Sequence, residues 1–400
     1  MKPLFDERPP FAALDAAKLA ALDRLPTPCY VIDEAAILEN CALMRGIADR
    51  TGAKLLLAQK AFSNFGMYRA MAPYLDGTEA SGLYESRLGY EELPGGENHV
   101  FCAAYRESDF KTLLIYADHI VFNSVGQLKK FGGIAKNAGK SVGLRLNPER
   151  STQESHAIYD PCAPGSRLGV TRDQWDISMT PELFAMLDGI HFHTLCEQDS
   201  DALEATLVAL DEKFGDVLPK MKWINFGGGH HITRPGYDVP RLERLITAVR
   251  AKYGVTVYLE PGEAWALNAG FLVASVLDVT RNGGVTNVIV DTSAACHMPD
   301  VIEMPYTPPL YGDVPDGVFA FRLGGPTCLA GDVIGDYRFD RPVTEGDRLI
   351  FGDMAIYTTC KNNTFNGMPL PDIFKLAADG SVTRLAGFGY GDFKQRLGGN

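Results

Sequence analysis

The sequence lacks any apolar run near the length of a bilayer crossing, which takes about 20 consecutive residues, so no membrane is expected as a partner. It also lacks paired cysteines: the eight (29, 41, 102, 162, 196, 296, 328 and 360) are scattered with no CxxC spacing. That pattern excludes a zinc ribbon and points to reduced thiols in a cytoplasmic protein rather than a disulfide framework. Positive charge is scarce, with 38 Lys and Arg against 50 Asp and Glu and a formal net charge of −12. No basic surplus is left to meet phosphates, so nucleic acid is not an expected partner, whereas a cationic small molecule is compatible. The opening Met1-Lys-Pro-Leu-Phe-Asp-Glu-Arg-Pro-Pro10 has no apolar segment of the kind a secretory signal needs. Internal repeats and low-complexity tracts are absent.

What is present is an ordinary globular composition, 46% hydrophobic and 22% charged, over 400 residues, enough for two domains. Strand-like runs occur at 54–59, 75–80, 99–103, 119–123, 141–147, 188–193, 222–226 and 255–260. Helical stretches such as Tyr84 to Leu93, Ser124 to Ala138 and Asp201 to Phe214 lie between them. Eight strands alternating with helices predict an α/β fold, a (β/α)8 TIM barrel over 34–264. A doubly wound open sheet would want a phosphate-binding glycine turn after the first strand, and Lys60-Ala-Phe-Ser63 is not one.

From about residue 265 the pattern becomes short runs rich in Val, Ile, Phe and Tyr between Gly, Pro and Asp turns. Val273–Val279, Asn287–Asp291, Val318–Leu323, Val333–Tyr337, Arg348–Phe351 and Ile356–Cys360 predict an all-β domain over 265–400. Cys29 to Asp33 reads as one further strand, followed by a helix at 34–49, and is expected to join that sheet, so residues 1–33 belong to the β domain too. Residues 299–316 carry five prolines and read as an ordered loop.

Lys60 ends the buried-looking run Lys54-Leu-Leu-Leu-Ala-Gln-Lys60. Read alone, it is a strand-end lysine that reaches solvent. In a barrel, however, function sits at the carboxyl ends of strands. Those ends carry Lys60, Ser81, Asn123, Arg145 with Asn147, His193, Gly227-Gly228-Gly229 and Glu260. A lysine whose ammonium pKa is lowered by burial can form an imine. A glycine turn can offer N–H groups to a phosphate. A carboxylate can keep a pyridine nitrogen protonated, and a histidine can lie flat on a ring. Together these describe a site for pyridoxal 5'-phosphate. The same histidines allow another reading, a metal-dependent barrel hydrolase. His191 and His193 alternate onto one side of a strand, with His230 or His231 and Asp291 as further ligands. A non-catalytic carrier of the cofactor is a third reading, to which the long C-terminal half is foreign.

The motifs resemble a known family, the fold-type-III pyridoxal phosphate decarboxylases, with their alanine-racemase-like architecture. The resemblance runs from about Thr27 to Phe388. It rests on Ala58-Gln-Lys60, Leu144-Arg-Leu-Asn147, His191-Phe-His193, Phe226-Gly-Gly-Gly229, Glu260-Pro-Gly262, Gly325-Pro-Thr-Cys328, and Tyr357 with Thr364-Phe-Asn-Gly367, in that order. It implies that Lys60 carries the cofactor, His193 stacks on its ring and Glu260 pairs with its pyridine nitrogen. Gly227, Gly228, Gly229 and Tyr357 would serve its phosphate, and Arg145 counts among the cofactor-binding residues. Cys328 would give a proton to the carbon that has lost carbon dioxide. The Gly-Pro-Thr-Cys segment would enter the neighbouring subunit's site, which implies a homodimer with shared active sites.

Two positions depart from the ornithine and diaminopimelate enzymes: Glu263 stands where an arginine is usual, and Thr194-Leu-Cys-Glu197 replaces a Gly-Ser-Gly-like turn. Those changes, with Cys296-His-Met-Pro-Asp300 and the segment ending at Asp332, resemble the carboxynorspermidine and carboxyspermidine branch. This implies a carboxylated polyamine as substrate. Its distal amines need anions, for which Asp332, Glu197, Asp336 and Glu263 are the candidates. Another amino-acid decarboxylase of the same fold type, for diaminopimelate, ornithine or arginine, is the alternative.

Overall fold

The computed structural model describes Phe11, residues 14–153 and residues 160–398; the amino-terminal decapeptide lies outside the described residues. Its first strand, β1 (Cys29–Asp33), is buried along its whole length, as a strand covered on both faces must be.

Eight short strands follow: β2 (Lys54–Ala58), β3 (Gly77–Ala80), β4 (Glu97–Phe101), β5 (His119–Phe122), β6 (Ser141–Arg145), β7 (Gly189–His191), β8 (Trp223–Asn225) and β9 (Thr256–Leu259). Each pairs in parallel with the next, and β9 closes onto β2 through Lys54 and Tyr258. The barrel expected from the alternating pattern is therefore present. Its strands are short and almost wholly buried, because helices cover them outside and side chains fill them inside. At the amino-terminal end the filling is aromatic. His99 and His119 stack at 3.9 Å, and the Trp223 indole lies so close to Gly189 that a Cβ there would fall 2.0 Å from it. The helices are cut by local signals. Ser124 caps Val125–Asn137 by accepting from the Gln127 N–H, and Gly254, at φ +70°, ends Val239–Tyr253.

The rest of the chain forms a mixed sheet from β10 (Gly270–Asn282), β11 (Val285–Val290), β12 (Phe319–Gly324), β13 (Val333–Phe339), β14 (Arg348–Gly352), β15 (Asp372–Leu376) and β16 (Val382–Ala386). Its order is β13-β12-β11-β10-β1-β15-β16, with β14 also on β10. β1 thus sits between two strands from the far end of the chain, antiparallel to β10 and parallel to β15. Leu22, Val31, Phe271, Val273, Phe374 and Leu376 form the core around it. Two expectations need correction. Ile356–Cys360 is a run of bends and turns, because Tyr357 takes the left-handed φ of +48°, which no strand accommodates. β15 and β16 form where the sequence pattern predicts no strand. The 299–316 segment contains one short helix, Asp300–Glu303.

The chain divides into two compact units, Asn40–Trp265 and Met1–Glu39 with Ala266–Asn400. The division runs through the helix Glu34–Thr51, a few residues from the expected boundary at 34.

Candidate active site

Lys60 follows β2 at the carboxyl end of the barrel. Ala58 lies opposite Glu79 of β3, and the Gln59 N–H donates to the Glu79 carbonyl at 3.1 Å. This pairing brings the next side chain onto its partner: Lys60 Nζ donates to Glu79 Oε2 at 3.1 Å. The Glu79 side chain is 2% exposed and that of Lys60 36%. Burial was expected to lower the lysine pKa. It does pull downward, but the charges of Glu79 and Glu260 outweigh it, and the ammonium is held above its usual value. Burial pushes the Glu79 carboxyl up to about 7; the Lys60 ammonium pulls against that, and Glu260 and Glu85 reinforce it. Glu79 was missed in the sequence because it lies within the strand expected at 75–80, whose carboxyl end falls at Ser81. The available signal was a carboxylate inside a strand next to the lysine's own, where an unpaired charge would be too costly to keep.

Glu260 follows β9 and is 3% exposed. Its Oε2 meets His191 Nε2 at 3.0 Å, and its Oε1 accepts from Asn225 Nδ2 at 2.6 Å. Burial alone would raise this carboxyl, but His191 and Lys60 overcome it and hold it down at about 2, so Glu260 is an anion. His191 is itself pushed down by burial, against the pull of Glu260, and its ring stacks on Phe101 at 5.4 Å. A neutral imidazole facing a carboxylate carries its proton on Nε2, and His191 Nδ1 is buried without a hydrogen-bond partner.

Both His191 and His193 feel the charges of Arg145 and Lys60. β7 ends at His191, and His193 turns so that its Nδ1 accepts the Gly228 N–H at 3.0 Å. Among the described residues, His191, His193, His230, His231 and Asp291 do not converge into a group that could hold an ion. Among the described residues, the group close enough to hold an ion is Glu97, His99 and His119, on the opposite side of the barrel from Lys60. Asp291 belongs to the other unit, where it accepts from the Ser275 N–H.

Gly227 and Gly229 sit at φ +70° and +80°, a backbone open to glycine at little strain. A Cβ on Gly228 would fall 2.5 Å from the Glu260 carbonyl oxygen. The turn thus binds together the ends of β7, β8 and β9: the Gly227 N–H donates to Asn225 Oδ1 at 2.9 Å and the Gly228 N–H goes to His193. Arg145, at the end of β6, donates from Nη2 to the His193 carbonyl at 3.0 Å, and its guanidinium lies 4.7 Å from the Phe101 ring centre. Burial brings its pKa down to about 10, so it stays cationic. Burial first, then the charges of Arg145 and Lys60, push His193 well below its usual value, leaving a neutral ring. One barrel face therefore carries an amine, an ionised carboxylate, a carboxyl of raised proton affinity, a neutral imidazole, a buried guanidinium and a glycine turn. That set fits pyridoxal phosphate: the amine suits its aldehyde, the Glu260 anion its ring nitrogen, and the Arg145 cation its phosphate. Glu197, at φ +52°, follows β7, and Glu263 opens the short helix Glu263–Ala266.

In the other unit Cys328 is exposed, and its backbone N–H donates to Asn366 Oδ1 at 2.7 Å. Asp332, expected to meet a substrate ammonium, is 4% exposed and engaged locally. Its Oδ1 accepts from Ser293 Oγ at 3.0 Å and from the Ala295 N–H at 3.3 Å, and its Oδ2 accepts from Thr327 Oγ1 at 2.6 Å. It ties the Gly325–Cys328 turn to the Ser293 turn. Asp336 is exposed and takes both arms of Arg322 at 2.8 and 2.9 Å. Tyr357 lies in the bend after β14.

Comparison with known proteins bears on this arrangement. Residues 29–355 match the family described as pyridoxal-dependent decarboxylase, C-terminal sheet domain. A carboxynorspermidine/carboxyspermidine decarboxylase of Campylobacter jejuni is 41% identical, over 94% of this chain and 99% of that protein. A carboxyaminopropylagmatine decarboxylase of Synechocystis is 40% identical, over 94% of this chain and 97% of that one. The crystal structure of C. jejuni carboxynorspermidine decarboxylase complexed with norspermidine has a TM-score of 0.84 and 39% identity, covering 93% of this chain and 100% of that one. A lysine and two carboxylates at the mouth of a closed barrel, in a chain matched over nearly its whole length, leave one conclusion: the protein belongs to the pyridoxal-dependent decarboxylases.

Proposed function

We propose that the protein removes carbon dioxide from a carboxylated polyamine, carboxynorspermidine or carboxyspermidine, with pyridoxal 5'-phosphate held at Lys60. The observation that carries this reading is the pair of Lys60 and an ionised Glu260 on one barrel face, in a chain 41% identical to a decarboxylase named for those substrates. Bound there, the cofactor supplies an electron sink for the pair left when the carbon–carboxylate bond breaks.

The chain's own residues do the rest. Glu260, oriented by His191 and Asn225, keeps a proton on the ring nitrogen. Neutral His193 offers a flat face to the ring. The Gly227–Gly229 turn and Tyr357 take the phosphate, with Arg145 as the nearby cation. The exposed Cys328 thiol returns a proton to the substrate carbon. Glu197 and Glu263 are the acidic side chains for the distal ammonium groups. The net charge of −12 favours the approach of such a cation. Two copies share their sites, Cys328 of one serving Lys60 of the other. Exposed Val318, Phe319, Leu329 and Val333 near Cys328 in sequence support burial against a second copy. The eight free thiols suit a cytoplasmic protein.

Borohydride reduction and peptide mapping test the cofactor. The pyridoxyl group is expected on Lys60, and label on another lysine sinks the reading. Product analysis with carboxynorspermidine, carboxyspermidine, carboxyaminopropylagmatine, diaminopimelate and ornithine tests the substrate. Preference for either of the last two overturns the polyamine assignment.

A further inference from the structure

Glu79 is engaged with the reacting nitrogen, yet the roles given to Lys60 and Glu260 make no use of it. We propose that Glu79 is the proton carrier for Lys60, taking a proton from its ammonium before the amine bonds to the cofactor's aldehyde and returning it to the oxygen that leaves as water. The inference rests on the cofactor reading above. Its geometry is direct: Oε2 lies 3.1 Å from Nζ, and the carboxylate is 2% exposed, so bulk water is a poor competitor for that proton.

The bookkeeping of atoms closes. Lys60–NH3+ and the Glu79 carboxylate become a neutral amine and a carboxylic acid. The nitrogen lone pair bonds to the aldehyde carbon, and the carbonyl pair moves to oxygen, which takes a proton from that nitrogen to become hydroxyl. Glu79 protonates this hydroxyl, the C–O bond breaks, and water departs. The product is a protonated C=N bond and a regenerated Glu79 carboxylate. No oxidant or further reactant is needed.

Glu260 does not fit this task. Both its oxygens are engaged by His191 and Asn225, and it is held at about 2, too acidic to keep a proton at neutral pH. Glu79, pushed up to about 7, can take and give a proton near neutral pH. The groups that act on it are Lys60 on β2's extension, Glu85 in the helix that follows β3, and Glu260 after β9. Arg145, Cys102 and Tyr105 feel its charge in return. Lys60 holds Glu79 ionised; the two acids and burial favour its protonated form.

The test uses the full chain, stripped of cofactor with hydroxylamine and mixed with pyridoxal phosphate while the yellow C=N absorbance grows. In the wild type the rate is expected to fall as pH drops through about 7, because a protonated Glu79 accepts nothing. Glu79→Gln should take up the cofactor on the order of 10²-fold more slowly at neutral pH. It should also lose that inflection, and Glu79→Asp should restore it. A Gln variant as fast as wild type, or faster, overturns the proposal, the latter because Glu79 would then only restrain the amine as an ion pair. Should the Gln variant fail to fold, the wild-type profile decides, and a rate with no inflection near neutrality overturns the proposal. If the wild type forms no yellow species and no label on Lys60, the cofactor reading itself falls. A labelled Lys60 with uptake indifferent to Glu79 sinks only this inference.

Discussion

Glu79 and Glu260 face the same lysine with opposite proton affinities, and the difference lies in their partners. Glu260 has an imidazole and an amide on its two oxygens, and His191 together with the Lys60 charge holds it anionic against burial. Glu79 has Lys60 on its Oε2, and burial prevails. Glu260→Gln should therefore keep the cofactor but lose turnover, by about 10²–10³-fold, since a neutral amide offers no charge to the ring nitrogen. Steady-state kinetics beside the cofactor's absorbance check this, and a variant with wild-type kcat removes Glu260 from that role. Lys60, Arg145, His193 and Glu260 were legible in the sequence because each stands at or just past the end of an apolar run, which in a barrel is the mouth. Glu79 was not, and neither was the direction of the Lys60 shift. Both depend on how β2 and β3 come into register, and register is a tertiary fact.

The eight barrel strands were readable because each pairs with its neighbour in the chain, so local strand-like runs and intervening helices suffice. β15 and β16 were not, because β15 finds its partner in β1, more than 300 residues earlier, and Asp372-Ile-Phe-Lys-Leu376 carries weak strand character alone. Asp332 looks like a spare anion in the sequence, yet three donors converge on it and it shapes the turn that carries Cys328. Asp332→Ala should leave two hydroxyls and a backbone N–H unsatisfied, at a cost of about 1–3 kcal/mol. Thermal unfolding should show that loss, and kcat should fall while KM for the polyamine substrate stays close to wild type. A steep rise in KM with unchanged stability would return Asp332 to the role of an ammonium ligand.

At the scale of the whole molecule, the barrel is one continuous segment, and the second unit is assembled from both ends of the chain. Lys60 belongs to the first and Cys328 to the second. If two copies share sites as proposed, a working site draws these residues from different chains. Lys60→Ala and Cys328→Ala proteins should then each be nearly inactive. In a mixed dimer one site holds both defects and the other holds neither. Random exchange of subunits makes half of the dimers mixed, each with one intact site of two, so about a quarter of wild-type activity should return. Isotope-labelled subunits can verify that mixed dimers have formed, and carbon dioxide release measures the recovery. A chain whose site is self-contained yields no recovery, because each copy then carries its own defect whatever its neighbour is. Mixed dimers that stay inactive would thus leave Cys328 an exposed thiol outside the reaction and the shared site disproved.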